Sequence, residues 1–208
     1  RRICVRCGKD EAVVVLVATK RLPYIETLPK KMVEKFPFVK GIVININKNE
    51  TNTIYGEKDV VVYGDPYIID SIGDIKYSVH YRSFYQVNPY TTLPLYEKAL
   101  SLADLKGSET VYDLYCGTGS ISLFLAKKAR EVIGIEIIPD AVENAKENAR
   151  LNGIENAQFY CGKAEEVAPK LIKEGKTSDT VVLDPPRKGC EEALLSAIAD
   201  MSPMKIVY

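Results

Sequence analysis

The stretch VYDLYCGTG, Val111 to Gly119, decides the fold. An apolar, β-branched lead-in ends at Asp113, and the turn Gly117-Thr118-Gly119 then opens the helix-like run ISLFLAKKA. A strand that stops at a glycine turn and feeds a helix brings bare backbone up to a ligand at the helix N-terminus. The next strand-like run, EVIGIE, ends in Glu136, where an acid at a strand tip can grip the two ribose hydroxyls of an adenosine. Further on, TVVLDPPRKGC (Thr180 to Cys190) repeats the pattern. Val181, Val182 and Leu183 read as a strand buried in a parallel sheet, ended by Asp184 and two prolines. Each proline fixes its own φ and disfavours helix in the residue before it, so the chain leaves the sheet as a stiff, extended wall.

Nicotinamide and S-adenosylmethionine sites share this layout, and the glycines separate them. A dinucleotide fingerprint wants a third glycine where this chain has Ser122. An acid at Asp113 is awkward beside a pyrophosphate and suits a cationic sulfonium with its amino group. An acid-Pro-Pro wall is used by methyltransferases that hold a flat, base-like acceptor beside the methyl donor. A turn joining strand to helix explains the glycines alone, and a proline-rich turn with a surface Arg187-Lys188 pair explains DPP alone. Three strand-tip features in register favour an S-adenosylmethionine pocket.

With these residues in hand, the chain resembles the RNA uracil-5 methyltransferase family, enzymes that make 5-methyluridine in ribosomal and transfer RNA. The matching segments are SFYQVNP (Ser83 to Pro89), DLYCGTGSIS (Asp113 to Ser122), VIGIEIIPDAVENAKENARLN (Val132 to Asn152) and LDPPRKG (Leu183 to Gly189). FYQVNP and DPPRKG together are far more specific than a glycine loop. The resemblance implies S-adenosylmethionine as cofactor, with Gln86 near its methionine end, Tyr115 in the glycine loop, Glu136 on the ribose and Asp184 beside the adenine or target base. It also implies an RNA partner, ribosomal RNA ahead of transfer RNA on DPPRKGC. Family members carry a small β-barrel RNA-binding domain ahead of this region.

In that family a cysteine thiolate adds to C6 of uracil, the enolate takes the methyl group, and a carboxylate base removes the C5 proton. The cysteine belongs to a Ser-Cys-Asn-Pro motif just after the strand that follows DPPR. Here that strand is KIVY, Lys205 to Tyr208, where the sequence stops, so the nucleophile and the base are expected downstream and no catalytic residue within the chain. The piece is accordingly expected to bind S-adenosylhomocysteine weakly and to methylate nothing alone. Of the five cysteines, Cys190 is nearest in sequence to the chemistry but reads as a small residue at a helix start. Cys116 reads as packing under the cofactor and Cys161 as core. Cys4 and Cys7 form one pair, and with a single histidine in the chain they complete no four-ligand metal site.

The 208 residues are 46% hydrophobic, enough for one full domain and a smaller one. No secretory signal or membrane-length apolar stretch is visible, and scattered, odd-numbered cysteines suit reduced thiols, so a cytoplasmic protein is expected. The opening Arg-Arg-Ile-Cys, without a Met, points to a piece of a longer protein. Lys plus Arg and Asp plus Glu balance at 28 each, so no basic stripe supports nucleic-acid binding as a whole. Local clusters exist at Arg1, Arg2 and Arg6; Lys30 and Lys31; Lys127, Lys128 and Arg130; and Arg187 and Lys188, each readable as a solvated face.

Two parts are expected: residues 1–75, a smaller α+β domain with an antiparallel sheet, and residues 76–208, a Rossmann-like doubly wound parallel sheet, incomplete at its C-terminus. In the first, ICVRC, AVVVLVAT, VKGIVININ and DVVVYG read as strands, TLPKKMVEKF as an amphipathic helix, and Gly8-Lys9-Asp10 and Lys48-Asn49-Glu50 as turns. This part resembles the family's central domain, which helps cradle RNA. VHYRSFYQVNP reads as a strand with Gln86 at its tip, and Tyr85 as a surface on which a splayed base could stack. In the second part, strands are expected at 110–115, 131–136, 157–161, 180–184 and 205–208, and a helix from Pro139-Asp140 to Asn152-Gly153 with Glu143–Lys146 and Glu147–Arg150 pairs. Two other functions remain open: an amino-methylating base methyltransferase, against which Arg187 stands where an aromatic would stack the base, and a Rossmann dehydrogenase or non-catalytic nucleotide-binding module.

Overall fold

The structure, a computed structural model, describes residues 2–20, 25, 27–48, 52–86 and 88–208. Arg1, Asn49, Glu50 and Val87, named above, lie outside them. The chain divides into two compact units, Arg1–Ser71 with Ser78–Arg82, and Ile72–Tyr77 with Ser83–Tyr208.

The first unit holds a four-stranded sheet in the order β1 (Arg2–Cys7), β2 (Ala12–Ala18), β3 (Val39–Ile46), β4 (Lys58–Gly64). The pairs β1–β2 and β3–β4 are antiparallel, as the turn signals predict, and the turn after Cys7 closes with Gly8 N–H donating to Glu11 O at 2.8 Å. The central pair β2–β3 is parallel, so the sheet is mixed rather than antiparallel throughout. The cause is helix α1 (Leu28–Lys35), which carries the chain across between the two strands; parallel neighbours need such a crossover. Met32 and Val33 of α1 cover Val14, Val39 and Ile42 on one face of the sheet.

A two-stranded hairpin follows, β5 (Tyr67–Ile72) and β6 (Ile75–His80). Its turn uses Gly73 at φ +62°, a conformation glycine adopts without steric cost. The long strand expected over VHYRSFYQVNP ends at His80, because residues 81–86 turn and run on without ladder partners before helix α2 (Pro89–Ala103). Asn88 caps α2, its side chain accepting from Tyr90 N–H at 3.1 Å.

From α2 onward strand and helix alternate: β7 (Thr110–Leu114), α3 (Ser120–Ala126), β8 (Glu131–Glu136), α4 (Pro139–Leu151), β9 (Ala157–Cys161), α5 (Ala164–Lys173), β10 (Thr180–Leu183), α6 (Glu192–Met201) and β11 (Lys205–Val207). The five strands pair in parallel in the order β11-β10-β7-β8-β9. Alternate side chains leave opposite faces of a strand. Tyr112, Ile133 and Val181 therefore pack with α5 and α6, while Val111, Val132 and Val182 pack with α2 and α3. Both faces are covered, which is why these strands read as unbroken apolar runs. The ion pairs Glu143–Lys146 (2.7 Å) and Glu147–Arg150 (2.9 Å) form on α4. The strand order reverses between β7 and β10, and in open α/β sheets the crevice beyond such a switch point holds the ligand.

Candidate functional site

The switch point brings together the first and last acids singled out in the sequence. Asp113 pairs in register with Val182 and Leu114 with Leu183, so the loop after β7 and the Asp184-Pro185-Pro186 segment after β10 leave the sheet side by side. Glu136 ends the adjacent strand β8. All three carboxylates thus sit at or near the C-terminal ends of neighbouring parallel strands.

The loop from Tyr115 to Gly119 is built on positive φ angles: Tyr115 at +76°, Gly117 at +54° and Gly119 at +78°. The two glycines serve different ends. A Cβ on Gly119 would lie 3.0 Å from the Ala145 Cβ and from the Phe159 ring, so this glycine lets α4 and β9 pack against the loop. A Cβ on Gly117 would meet nothing within 4 Å, so its space is open toward an approaching group. Tyr115, a non-glycine in the left-handed region, is held there as its N–H and that of Cys116 donate to Ile135 O at 3.0 and 3.1 Å.

Glu136 closes this loop. One carboxylate oxygen accepts from Gly117 N–H at 3.1 Å and the other from Ile138 N–H at 2.9 Å. A carboxylate offers about four lone-pair sites, so two remain for hydroxyl donors. Asp113 lies beneath the loop, 1% exposed, accepting from the Ser122 hydroxyl at 2.5 Å. Burial pushes its carboxyl up to about 7; the Ser122 bond opposes this, and the charges of Asp184 and Glu136 add to it. Among the described residues no Lys or Arg pairs with Asp113, Glu136 or Asp184. Asp184 is exposed, and Gly189 N–H donating to Pro186 O at 2.8 Å turns the chain after the proline wall.

The remaining candidates divide. Gln86 is half-buried on the irregular run between β6 and α2, not at a strand tip. Tyr85 is 7% exposed with its ring 6.0 Å from that of Tyr77, so it is core and offers no stacking face; its neighbour Phe84 is exposed. Cys116 is buried and its thiol is pushed well up by burial, while Cys190 packs half-buried against the α5/α6 core. Cys161 is exposed rather than core, since β9 is the edge strand. No group of His, Cys, Asp and Glu placed to hold a metal occurs among the described residues, and none of their helices is long and apolar enough to cross a membrane.

Three polar residues that sequence reasoning passed over hold the loop. Ser122, read only as the missing third glycine, is the hydrogen-bond partner of Asp113. Asn148 on α4 donates to Thr118 O at 3.1 Å, and the Tyr77 hydroxyl donates to Ser120 O at 2.9 Å. Asn148 falls at a helical position otherwise filled by small apolar residues, Ala145 and Ala149, and that polar interruption of a buried stripe was its one sequence signal.

Comparison with known proteins finds relatives of the chain and of its fold. A family described as "Methyltransferase domain" matches residues 105–204. An "Uncharacterized RNA methyltransferase" of Bacillus cereus is 53% identical over the whole chain, which covers 46% of that protein. One from Halalkalibacterium halodurans is 51% identical with the same coverage. The Pyrococcus abyssi tRNA (uracil-54, C5)-methyltransferase, solved in complex with S-adenosyl-L-homocysteine, superposes with a TM-score of 0.79 at 28% identity, covering 98% of this chain and 48% of that one. The chain spans about half the length of the curated relatives it matches. From end to end it is a homologue of proteins named RNA methyltransferases, and its parallel-sheet unit has the Rossmann-like fold of the S-adenosylmethionine-dependent methyltransferases.

Proposed function

We propose that this chain forms the S-adenosylmethionine site of a cytoplasmic RNA methyltransferase that acts on C5 of uridine, in ribosomal RNA ahead of transfer RNA. The observation that carries the donor is the convergence of Asp113, Glu136 and Asp184 at three strand ends with no ion-paired cation among the described residues. Such a field attracts a ligand bearing a sulfonium and an ammonium and repels the pyrophosphate of a dinucleotide.

When bound, S-adenosylmethionine supplies an electrophilic methyl group. The chain's own residues bind and orient. Glu136 has free lone pairs for ribose hydroxyls, Gly117 leaves room for the ligand beside its backbone, and Tyr115 borders it in the loop. Asp113 lies beneath, where a cationic ligand favours its ionised form, Asp184 and the proline wall hold the edge of the adenine or of the target base, and Gln86 takes the methionine end. Gly119 keeps α4 close enough to support the loop. The uridine acceptor rests on the resemblance of FYQVNP and DPPRKG and on the Pyrococcus neighbour.

The test uses the full-length protein. It is incubated with methyl-labelled S-adenosylmethionine and separately with ribosomal and transfer RNA lacking the modification, and nucleosides are resolved by mass spectrometry. Labelled 5-methyluridine from ribosomal RNA is the expected product. An N-methylated base would establish the amino-methylating alternative, and binding of NAD in place of S-adenosylmethionine would remove the donor assignment.

A further inference from the structure

We infer that the tip of the β5–β6 hairpin is a positioning device for the glycine loop, with Asn152 and Tyr77 as its working residues; this rests on the donor site proposed above. The tip is firmly seated. Ile72 and Ile75 are buried, a Cβ on Gly73 would touch Leu93 at 3.3 Å, and Asp74 pairs with Lys127 at 2.5 Å. A two-stranded hairpin leaves unpaired N–H and C=O groups along its outer edges. On β6 the Asn152 carboxamide takes both of those of Lys76: its oxygen accepts from Lys76 N–H at 2.8 Å and its nitrogen donates to Lys76 O at 2.6 Å. One side chain thus stands in for a neighbouring strand and sets the position of the next residue, Tyr77.

From this clamp two routes reach the loop. Tyr77, fully buried, donates through its hydroxyl to Ser120 O, while Tyr96 donates to the Ser120 hydroxyl at 2.8 Å. The Asn152 nitrogen also donates to Asn148 O at 2.7 Å, and Asn148 donates to Thr118 O. Thr118 and Ser120 flank Gly119, so the two carbonyls on either side of the residue that caps α3 are both held from outside the loop. Ile135 O and Glu136 hold the first part of the loop, Tyr115 to Gly117, from the sheet side. The hairpin and the end of α4 hold its second part, Thr118 and Ser120, and they set how well the loop fits the donor rather than touching it themselves.

The experiment measures S-adenosylhomocysteine binding, thermal unfolding without ligand, and the KM for S-adenosylmethionine against kcat, in the full-length protein. Tyr77→Phe removes one hydroxyl and keeps the ring. Its Kd and KM are expected to rise about fivefold with kcat within twofold, as loss of one net hydrogen bond predicts. Asn152→Ala is expected to weaken binding further, and Asp74→Asn, which breaks only the surface pair, to leave binding within twofold. A lowered unfolding temperature with Kd unchanged in Tyr77→Phe would show a merely structural hydrogen bond and overturn the inference. Wild-type binding retained unaltered in both Tyr77→Phe and Asn152→Ala would overturn it alone. Failure of the wild type to bind would overturn the donor reading, and this inference with it.

Discussion

Asp113 in the second unit is buried and Asp59 in the first is exposed, and their surroundings treat them in opposite ways. Asp59 sits in a fork: Arg82 donates to it from Nε at 3.1 Å and from Nη2 at 2.8 and 2.9 Å, and Asn45 adds a bond at 2.6 Å. Burial alone would raise its carboxyl, but the bonds from Arg82, Asn45 and Tyr81 outweigh that and hold it below the usual range. Arg82 also bonds Gly56 O at 2.6 Å and the Tyr81 hydroxyl at 2.9 Å, and lies over the Tyr55 and Tyr81 rings. Each charge there has its complement within the fold. Asp113 has a hydroxyl for a partner and two more carboxylates as neighbours, so it holds its proton up to about pH 7, and a cation brought beside it would favour its ionised form. A compensated acid builds structure; an uncompensated cluster at strand ends is poised for a cationic ligand.

Five substitutions break or sharpen this contrast. Glu136→Ala is expected to have the largest effect, weakening S-adenosylhomocysteine binding by roughly a hundredfold, since hydrogen bonds to a charged group contribute about 1.5–3 kcal/mol each. Titration calorimetry showing intact affinity would remove Glu136 from the ribose. Next, Gly119→Val forces a branched side chain into Ala145 and Phe159 at a φ of +78°. We expect a loss of several kcal/mol, on the order of overpacking and backbone strain combined, whereas Gly117→Ala should cost about 1 kcal/mol of stability and mainly reduce affinity. Denaturant unfolding beside binding isotherms separates the two glycines.

The third test is a pH profile. Because the folded Asp113 carboxyl is raised to about 7, it holds its proton where the unfolded chain has lost it. The stability it contributes is full below about pH 4 and is lost as pH rises through about 7. Asp113→Asn, whose oxygen can still accept from Ser122, should flatten that slope and be the more stable form at pH 8, by up to a few kcal/mol. A parent slope unchanged by the substitution would contradict the burial argument. Asp59 carries the opposite sign: its depressed carboxyl contributes above about pH 4 and loses that contribution as pH falls below it. The smallest effect is therefore expected from Asp59→Asn at pH 7, about 1 kcal/mol or less because the pair is partly exposed, with ligand affinity unchanged.

Much of the parallel sheet was legible because its strands are buried on both faces, and apolar runs closing at or beside Asp113, Glu136 and Asp184 mark both the strands and the ends where the proposed site lies. Local chemistry likewise announced the glycine turn, the caps of α4 and its two ion pairs. Tertiary packing decided the rest. Whether β2 and β3 run parallel depends on where α1 carries the chain, and neither strand encodes it. The β5–β6 hairpin was not read from the sequence, where the alternating run VHYRSFYQVNP fitted one long strand; pairing ends at His80 instead. Tyr85 and Phe84 are both aromatic neighbours; only the fold buries one and exposes the other. Ser122, Asn148, Asn152 and Tyr77 meet their partners across distant stretches of chain. Sequence therefore determined which elements form and where their acids stand, since periodicity and turn chemistry are local. The support of the loop and the ionisation of Asp113 were set only in three dimensions, because burial and long-range hydrogen bonds belong to the assembled core.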